Sequence, residues 1–123
     1  MTVQELYDSI GGNYNGAKSI LQMDKLIGRF ILKFLDEKSY DRLTAAWADR
    51  DAEGVFEAAH ALKGVSANLG LDEISHRASD ISEEFRPTHD RTMDDAEVER
   101  RMAELDEIYQ RSIEGIQAFA AQQ

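Results

Sequence analysis

Apolar residues recur at helical spacing through most of the chain, and this periodicity limits the possible folds more than any other feature. Near the C-terminus one such series reads Val98, Met102, Leu105, Ile108, Tyr109, Ile113, Ile116 and Phe119. This spacing puts the whole series on one face of a helix. No segment shows the sustained alternation of a strand followed by a hairpin turn. A long helix with one apolar face must bury that face against other helices, so the chain is predicted to be all-α.

Four segments carry apolar faces long enough to build the core of a bundle. They are predicted as helices at 24–38, 51–69, 72–86 and 93–121. Because the connections between them are short, they favour an antiparallel four-helix bundle. Additional short helices, within residues 2–22 and from Ser39, are expected to pack on one end. The sequence therefore predicts a single domain over residues 1–123, with short N-terminal helices at 2–22 and a bundle core at 24–121.

Capping and terminating residues mark the predicted helix ends. Thr2 and Glu5 have the spacing of a capping box at the start of the first helix. Later helices have three predicted N-caps, which are Ser39, Asp51 and Thr92. Gly70 stands where a left-handed residue would end helix 51–69, with Leu71 folding back on the last turn.

Composition and charge exclude several classes of function. The chain has 24 acidic and 14 basic residues, a formal charge of −10, which opposes general binding to nucleic acid or to anionic membranes. It has no cysteine, which excludes disulfides, thiolate catalysis and cysteine-based metal sites. No apolar run reaches the roughly 18 residues of a membrane span, and no secretory signal is visible. We expect a cytoplasmic, stand-alone, monomeric protein whose partners are other proteins.

Helix 51–69 carries the residues that indicate chemistry. With about 100° per residue, one side of the helix forms the stripe that is predicted to be buried, and its residues are Val55, Ala59, Leu62, Ser66 and Leu69. His60 points away from them. Within about 60° of His60 on the same wheel lie Glu53, Phe56, Lys63, Gly64 and Ala67. The helix is thus expected to present a solvent-facing imidazole beside a cation, two small residues and an aromatic ring.

Most of these residues also have an ordinary explanation. His60 and Lys63 can be solvated surface residues, and Phe56 can belong to the rim of the core. Gly64 is harder to explain, because a glycine inside a helix costs about 1 kcal/mol relative to alanine and the core lies on the other face. Together with Ala67 it clears space beside the imidazole, as needed if another protein must bring a reacting group close.

The run from Ala59 to Leu71, AHALKGVSANLGL, resembles the motif of histidine-containing phosphotransfer (HPt) domains. The match includes His60, the Leu-Lys-Gly that follows it, Ala67 and the Leu-Gly at the helix end, and the bundle architecture extends it over nearly the whole chain. The resemblance implies that His60 accepts a phosphoryl group from a receiver-domain aspartate and passes it to another. The partners it implies are response-regulator receiver domains and a hybrid sensor histidine kinase, and the Mg²⁺ of the reaction would belong to the receiver.

The residue chemistry agrees with this implication. An imidazole with an ordinary pKa of about 6.5 is largely neutral and nucleophilic near pH 7, and Lys63 can offset the charge of a phosphoryl group one turn away. Without a glycine-rich nucleotide loop, the chain is expected to be a phosphocarrier that needs no cofactor, not an autokinase. Its histidines lack metal-ligand spacing. The other polar groups are expected to be solvated, and these are His76, His89, Glu83-Glu84 and Asp94-Asp95.

Two other interpretations remain open. A module of the same fold could bind receivers or a kinase as a regulator without carrying phosphate, although the intact set of His60, Lys63 and Gly64 weighs against this. A plain structural bundle that oligomerises through Phe56 would explain the fold but not the glycine. For a phosphocarrier, we expect Gly64, Ala67 and Phe56 to serve partner access and docking.

Overall fold

Seven α-helices and no strands make up the computed structural model, which describes all of residues 1–123. The helices are α1 (Val3–Ile10), α2 (Tyr14–Leu21), α3 (Asp24–Lys33), α4 (Ser39–Ala48), α5 (Ala52–Asn68), α6 (Asp72–Glu84) and α7 (Asp95–Ala121). One 3₁₀ turn, Phe34–Asp36, follows α3 directly. Buried apolar residues from every helix form one core, which confirms the predicted all-α fold.

The bundle is built from α4, α5, α6 and α7. The most extensive contacts of α5 are with α6 and α4, and α6 also packs on α7. Between α4 and α7 the bundle is closed by side chains, because Tyr40 stacks on Tyr109 with ring centroids 3.9 Å apart and the indole of Trp47 donates a hydrogen bond to Glu99 at 3.0 Å. Residue numbers rise along α4 as they fall along α7, as antiparallel packing requires.

α3 and α4 differ from the prediction. The sequence predicted a single bundle helix at 24–38, and it placed the helix that begins at Ser39 on the end of the bundle. The prediction was wrong in both respects. The α-helix ends at Lys33, and α4 is the helix that packs along α5. α3 and the 3₁₀ turn after it both contact α7, and Phe34 of the turn lies near the Tyr109 ring at a centroid distance of 5.9 Å.

The break between α3 and α4 falls at Glu37 and Lys38. Glu37 has an extended backbone, and its carboxylate accepts a hydrogen bond from the Ser39 N–H at 2.5 Å. Ser39 is therefore the first residue of α4 and not its N-cap, and its side chain makes no capping hydrogen bond. The apolar pattern of 24–38 hides this break, because a single 3₁₀ turn changes the direction of side chains only slightly from that of an α-helix.

The other predicted helix ends are mostly confirmed. Thr2 and Glu5 form the capping box of α1, and Asp51 caps α5 through the N–H of the third helical residue. The N-cap of α7 is Asp94 and not Thr92. Both residues can accept a hydrogen bond from a helix N-terminus, and the structure shows that Thr92 has another partner.

That partner is Glu84, which the sequence analysis expected to be solvated. Glu84 is only 5% exposed, and it accepts hydrogen bonds from the Thr92 N–H at 2.9 Å, the Thr92 hydroxyl at 2.8 Å and the Met93 N–H at 2.6 Å. Burial raises the pKa of Glu84, but these hydrogen bonds lower it by more. The net pKa therefore lies below its ordinary value. Glu84 thus ties the end of α6 to the start of α7.

Candidate functional site

α5 is terminated at its C-terminal end in the way predicted from Gly70. This residue has a φ of 69°, its N–H donates to the carbonyl of Ala67 at 3.1 Å, and the N–H of Leu71 donates to the carbonyl of Ser66 at 2.9 Å. These two bonds make a Schellman motif. The helix is therefore held at a defined length, and the direction of every side chain on it follows.

His60 lies on the exposed face of α5, as predicted. The opposite face is buried, and Val55, Ala59, Leu62 and Ser66 are each at most 1% exposed, whereas His60 is exposed. Neither His60 nor Lys63 takes part in an ion pair of the structure. A packed core thus fixes the backbone of a histidine whose ring is accessible to a second molecule.

Phe56 lies one turn before His60 and contacts it. The two rings are stacked with centroids 5.8 Å apart and planes inclined by 23°. Phe56 is half-buried and packs against the core, so it belongs partly to the core rim that the sequence analysis left open. The same ring lies near Arg86, which follows α6 and whose guanidinium carbon is 5.7 Å from the ring centroid. Phe56 therefore lies beside both the imidazole and a cation.

Gly64 and Ala67 leave open space beside His60. A Cβ atom added at Gly64 would meet no atom within 4 Å outside its own helix backbone, and Ala67 is exposed. No internal contact in the structure therefore requires a glycine at position 64. This supports the argument that the small residues serve access to the imidazole, while their part in docking stays a prediction.

Charged groups from α5 and α6 lie together on the Phe56 side of His60. Arg86 donates from Nε to the Glu83 carboxylate at 3.1 Å, and a second guanidinium nitrogen contacts the same carboxylate. The hydrogen bonds from Arg86 lower the pKa of Glu83, and the charges of Lys63 and His89 lower it further.

The other side of α5 borders an apolar groove between α2, α3 and the C-terminal half of α5. The groove has a volume of about 660 Å³, and six apolar residues line it, namely Ile20, Leu21, Phe30, Phe34, Val65 and Leu69. Ile20 is 52% exposed and Phe30 is 38% exposed, which is unusual for large apolar side chains in this protein. Asn68 also lines the groove, and on α5 it lies next to Gly64, so the groove continues from the open space beside His60.

This groove was not predicted from the sequence. The helix predicted at 24–38 has an apolar stripe that includes Phe30, and Ile20 falls within the short N-terminal helices predicted at 2–22. A signal was present, because on a wheel of about 100° per residue Phe30 lies at the edge of the stripe formed by Ile27, Ile31 and Phe34. Whether an edge position is covered depends on the neighbouring helix, and here α2 leaves it open.

The two remaining histidines lie apart from His60 in the sequence. His76 is exposed on α6, as predicted. His89 is also exposed, but its Nδ1 lies 2.8 Å from the Asp90 carbonyl and its Nε2 contacts the Glu83 carbonyl, and these contacts raise its pKa. No group of three or more histidine or acidic side chains is arranged to hold a metal ion. None of the helices combines the length and the apolar character needed to cross a membrane.

Comparison with known families identifies the arrangement. The family model described as the Hpt domain matches residues 34–115, from the 3₁₀ turn before α4 to the last part of α7, and the match includes His60, Lys63 and Gly64. Comparisons with curated proteins and with solved structures give no match. The matched region is 82 of the 123 residues and contains α4, α5, α6 and most of α7. The chain therefore belongs to the Hpt domain family.

Proposed function

We propose that this protein is a phosphocarrier in a multistep two-component relay and that His60 is its phosphoacceptor. Membership in the Hpt domain family supports a phosphotransfer role in two-component signalling. The observation that carries the finer proposal is the exposed ring of His60 on a rigid, core-packed helix, with Lys63 one turn away and open space at Gly64. A cytoplasmic location, expected from the sequence, is part of the proposal.

The proposed reaction needs little from this chain beyond positioning. The lone-pair nitrogen of the neutral His60 ring attacks the phosphorus of a receiver aspartyl phosphate, so that a P–N bond forms as the P–O bond to the aspartate breaks. The aspartate leaves as a carboxylate, and the reverse step delivers the group to a second receiver. The transferred group carries negative charge throughout, and Lys63 offsets part of it. The receiver supplies the Mg²⁺, which this chain is not expected to bind.

The receiver is expected to approach over the open side of α5. From His60 this side leads past Gly64 and Asn68 to the groove with the exposed side chains of Ile20 and Phe30. Exposed apolar surface next to a reactive group is typical of a protein interface. Phe56 lies on the opposite side and remains a candidate contact. A receiver thus meets apolar surface on one side of His60 and charged groups on the other.

A labelling experiment tests the phosphocarrier against the non-phosphorylated binding module. The protein is incubated with a phosphorylated receiver domain, and we expect an acid-labile, alkali-stable phosphate on the wild-type chain. His60→Gln should abolish the label and leave the helical circular dichroism signal unchanged, because the ring makes no core contact. His76→Gln is the matched control, since it changes another exposed helical histidine and should keep the label. Binding of the receiver without any label would favour the regulatory module instead.

A further inference from the structure

An ion pair at the C-terminal end of α6 lies one aromatic ring away from His60. The pair consists of Glu83 and Arg86, three residues apart, and both side chains are partly exposed. The guanidinium of Arg86 is 5.7 Å from the Phe56 ring centroid, and the same ring is stacked on His60 at 5.8 Å. The long arginine side chain therefore lies next to the same aromatic ring that stacks on the imidazole.

In the unphosphorylated protein the partner of Arg86 is the carboxylate of Glu83. The charges of Lys63 and His89 also lower the pKa of this carboxylate. A phosphoryl group on His60 would carry about −1.5 to −2 charges on the ring that stacks with Phe56, and the Glu83–Arg86 pair lies beside the same Phe56 ring. In this geometry Glu83 competes with the phosphoryl group for the cations, and repels it as well.

We propose that Arg86 is a second phosphate-binding residue and that Glu83 holds its guanidinium until His60 is phosphorylated. The role rests on the proposed phosphocarrier function. No covalent bond changes in this step, since Arg86 exchanges the carboxylate of Glu83 for the phosphoryl oxygens, which match its planar fork of donors. An exposed ion pair contributes little to stability, so the exchange has a low cost. Lys63 acts on the same oxygens from α5.

The proposal predicts opposite effects for the two members of the pair. Without Arg86 the phosphorylated form loses a cation, so the phosphohistidine should hydrolyse faster and the transfer equilibrium should move toward the receiver. Without the charge of Glu83 the cations are released, so the phosphohistidine should last longer. A purely structural role of the pair would change the melting temperature and shift both variants in the same direction.

The experiment measures the lifetime of phosphohistidine on the full chain. Wild-type protein is loaded with phosphoramidate, which phosphorylates histidine chemically without a receiver, and the label on His60 is assigned by peptide mass spectrometry and followed by ³¹P NMR. We expect Arg86→Ala to shorten the lifetime and Glu83→Gln to lengthen it, each by about threefold, the order of magnitude for a partly exposed charge-assisted contact. Arg86→Lys, which keeps the charge but loses the fork, should fall between wild type and Arg86→Ala.

Matched controls come from α7, where Arg100 and Glu97 form a partly exposed pair with the same spacing of three residues. Arg100→Ala and Glu97→Gln should leave the lifetime unchanged. Unchanged lifetimes in the Arg86 and Glu83 variants, or changes in the same direction, would overturn the proposal. If Arg86→Ala melts early, Arg86→Lys and Glu83→Gln still decide it. Failure of a phosphorylated receiver to label His60 contradicts the phosphocarrier function instead, so the two failures are distinguishable.

Discussion

Two glycines inside long helices, Gly64 on α5 and Gly115 on α7, have opposite surroundings. A Cβ atom at Gly64 would meet open space, whereas one at Gly115 would overlap Cγ2 of Ile10 and touch Leu6 at 3.8 Å. Both positions lose about 1 kcal/mol of helix propensity relative to alanine. At Gly115 this loss is offset inside the molecule, because α1 can close on α7. At Gly64 no contact inside the molecule offsets the loss of helix propensity. We therefore attribute the glycine to contact with a partner protein.

A large side chain at position 64 tests most directly whether the open space there serves a partner. Gly64→Gln should fold with nearly unchanged stability and transfer phosphate about a hundredfold more slowly, since a misplacement of about 1 Å can have that effect on a reaction that depends on positioning. Thermal unfolding and the rate of transfer from a phosphorylated receiver are measured on the same sample. Early melting would show that Gly64 serves internal packing, and a wild-type rate would refute the access argument.

At Gly115 the expected effect is on stability alone. Gly115→Ala should destabilise the protein by about 1–3 kcal/mol, because the added methyl group overpacks the contact with Ile10, and this outweighs the gain in helix propensity. Denaturant unfolding measures the change. The transfer rate of the folded protein should equal that of the wild type, because α1 and the C-terminal half of α7 lie outside the surface around His60. A stabilised Gly115→Ala variant would contradict the packing explanation.

A double-mutant cycle sharpens the assignment at Gly115. Ile10→Leu removes the branch that carries Cγ2, the atom that an added Cβ would overlap. The combined variant Gly115→Ala with Ile10→Leu should therefore be more stable than the sum of the single changes by about 1 kcal/mol, within the range seen for residues in contact. Gly64→Ala combined with Ile10→Leu is the control and should be additive. Additivity in both pairs would show that the close approach to Ile10 does not explain Gly115.

The smallest expected effect is that of alanine at position 64. Gly64→Ala should stabilise the protein by about 0.5–1 kcal/mol, because alanine has the higher helix propensity and restricts the unfolded chain. The transfer rate should not increase. The measurement is denaturant unfolding beside Gly115→Ala under the same conditions, where the two changes in free energy should have opposite signs. Equal signs would remove the distinction between the two glycines.

Much of the candidate site could be predicted because it is local. His60, Lys63, Gly64 and Ala67 lie within two turns of one helix, and helix geometry alone relates their directions. The apolar stripe of α5 predicted which side of the helix is buried, and the structure confirms this prediction. The capping residue Asp51 and the terminating Gly70 were visible for the same reason, since each acts on backbone groups only a few residues away.

Predictions failed where the outcome depends on a distant partner. Glu84 looked like a solvated helix end, but Thr92 and Met93 turn back over it and donate hydrogen bonds. Thr92 was predicted to be an N-cap for the same reason. The sequence does not show whether its hydroxyl is free to cap the helix or is bound to a buried carboxylate. Phe30 was assigned to a core stripe and lies in an open groove.

The helical class, the buried and exposed faces of α5 and the identity of the residues around His60 could all be predicted from the amino-acid sequence. These properties follow from spacing along one helix, where neighbours are set by 3.6 residues per turn. Three other features appear only in the folded chain: α4 packs along α5, Arg86 and His60 lie beside the same Phe56 ring, and Ile10 leaves no room for a Cβ atom at Gly115. These depend on contacts between residues far apart in the chain, which the summed packing of all side chains selects and no local pattern encodes.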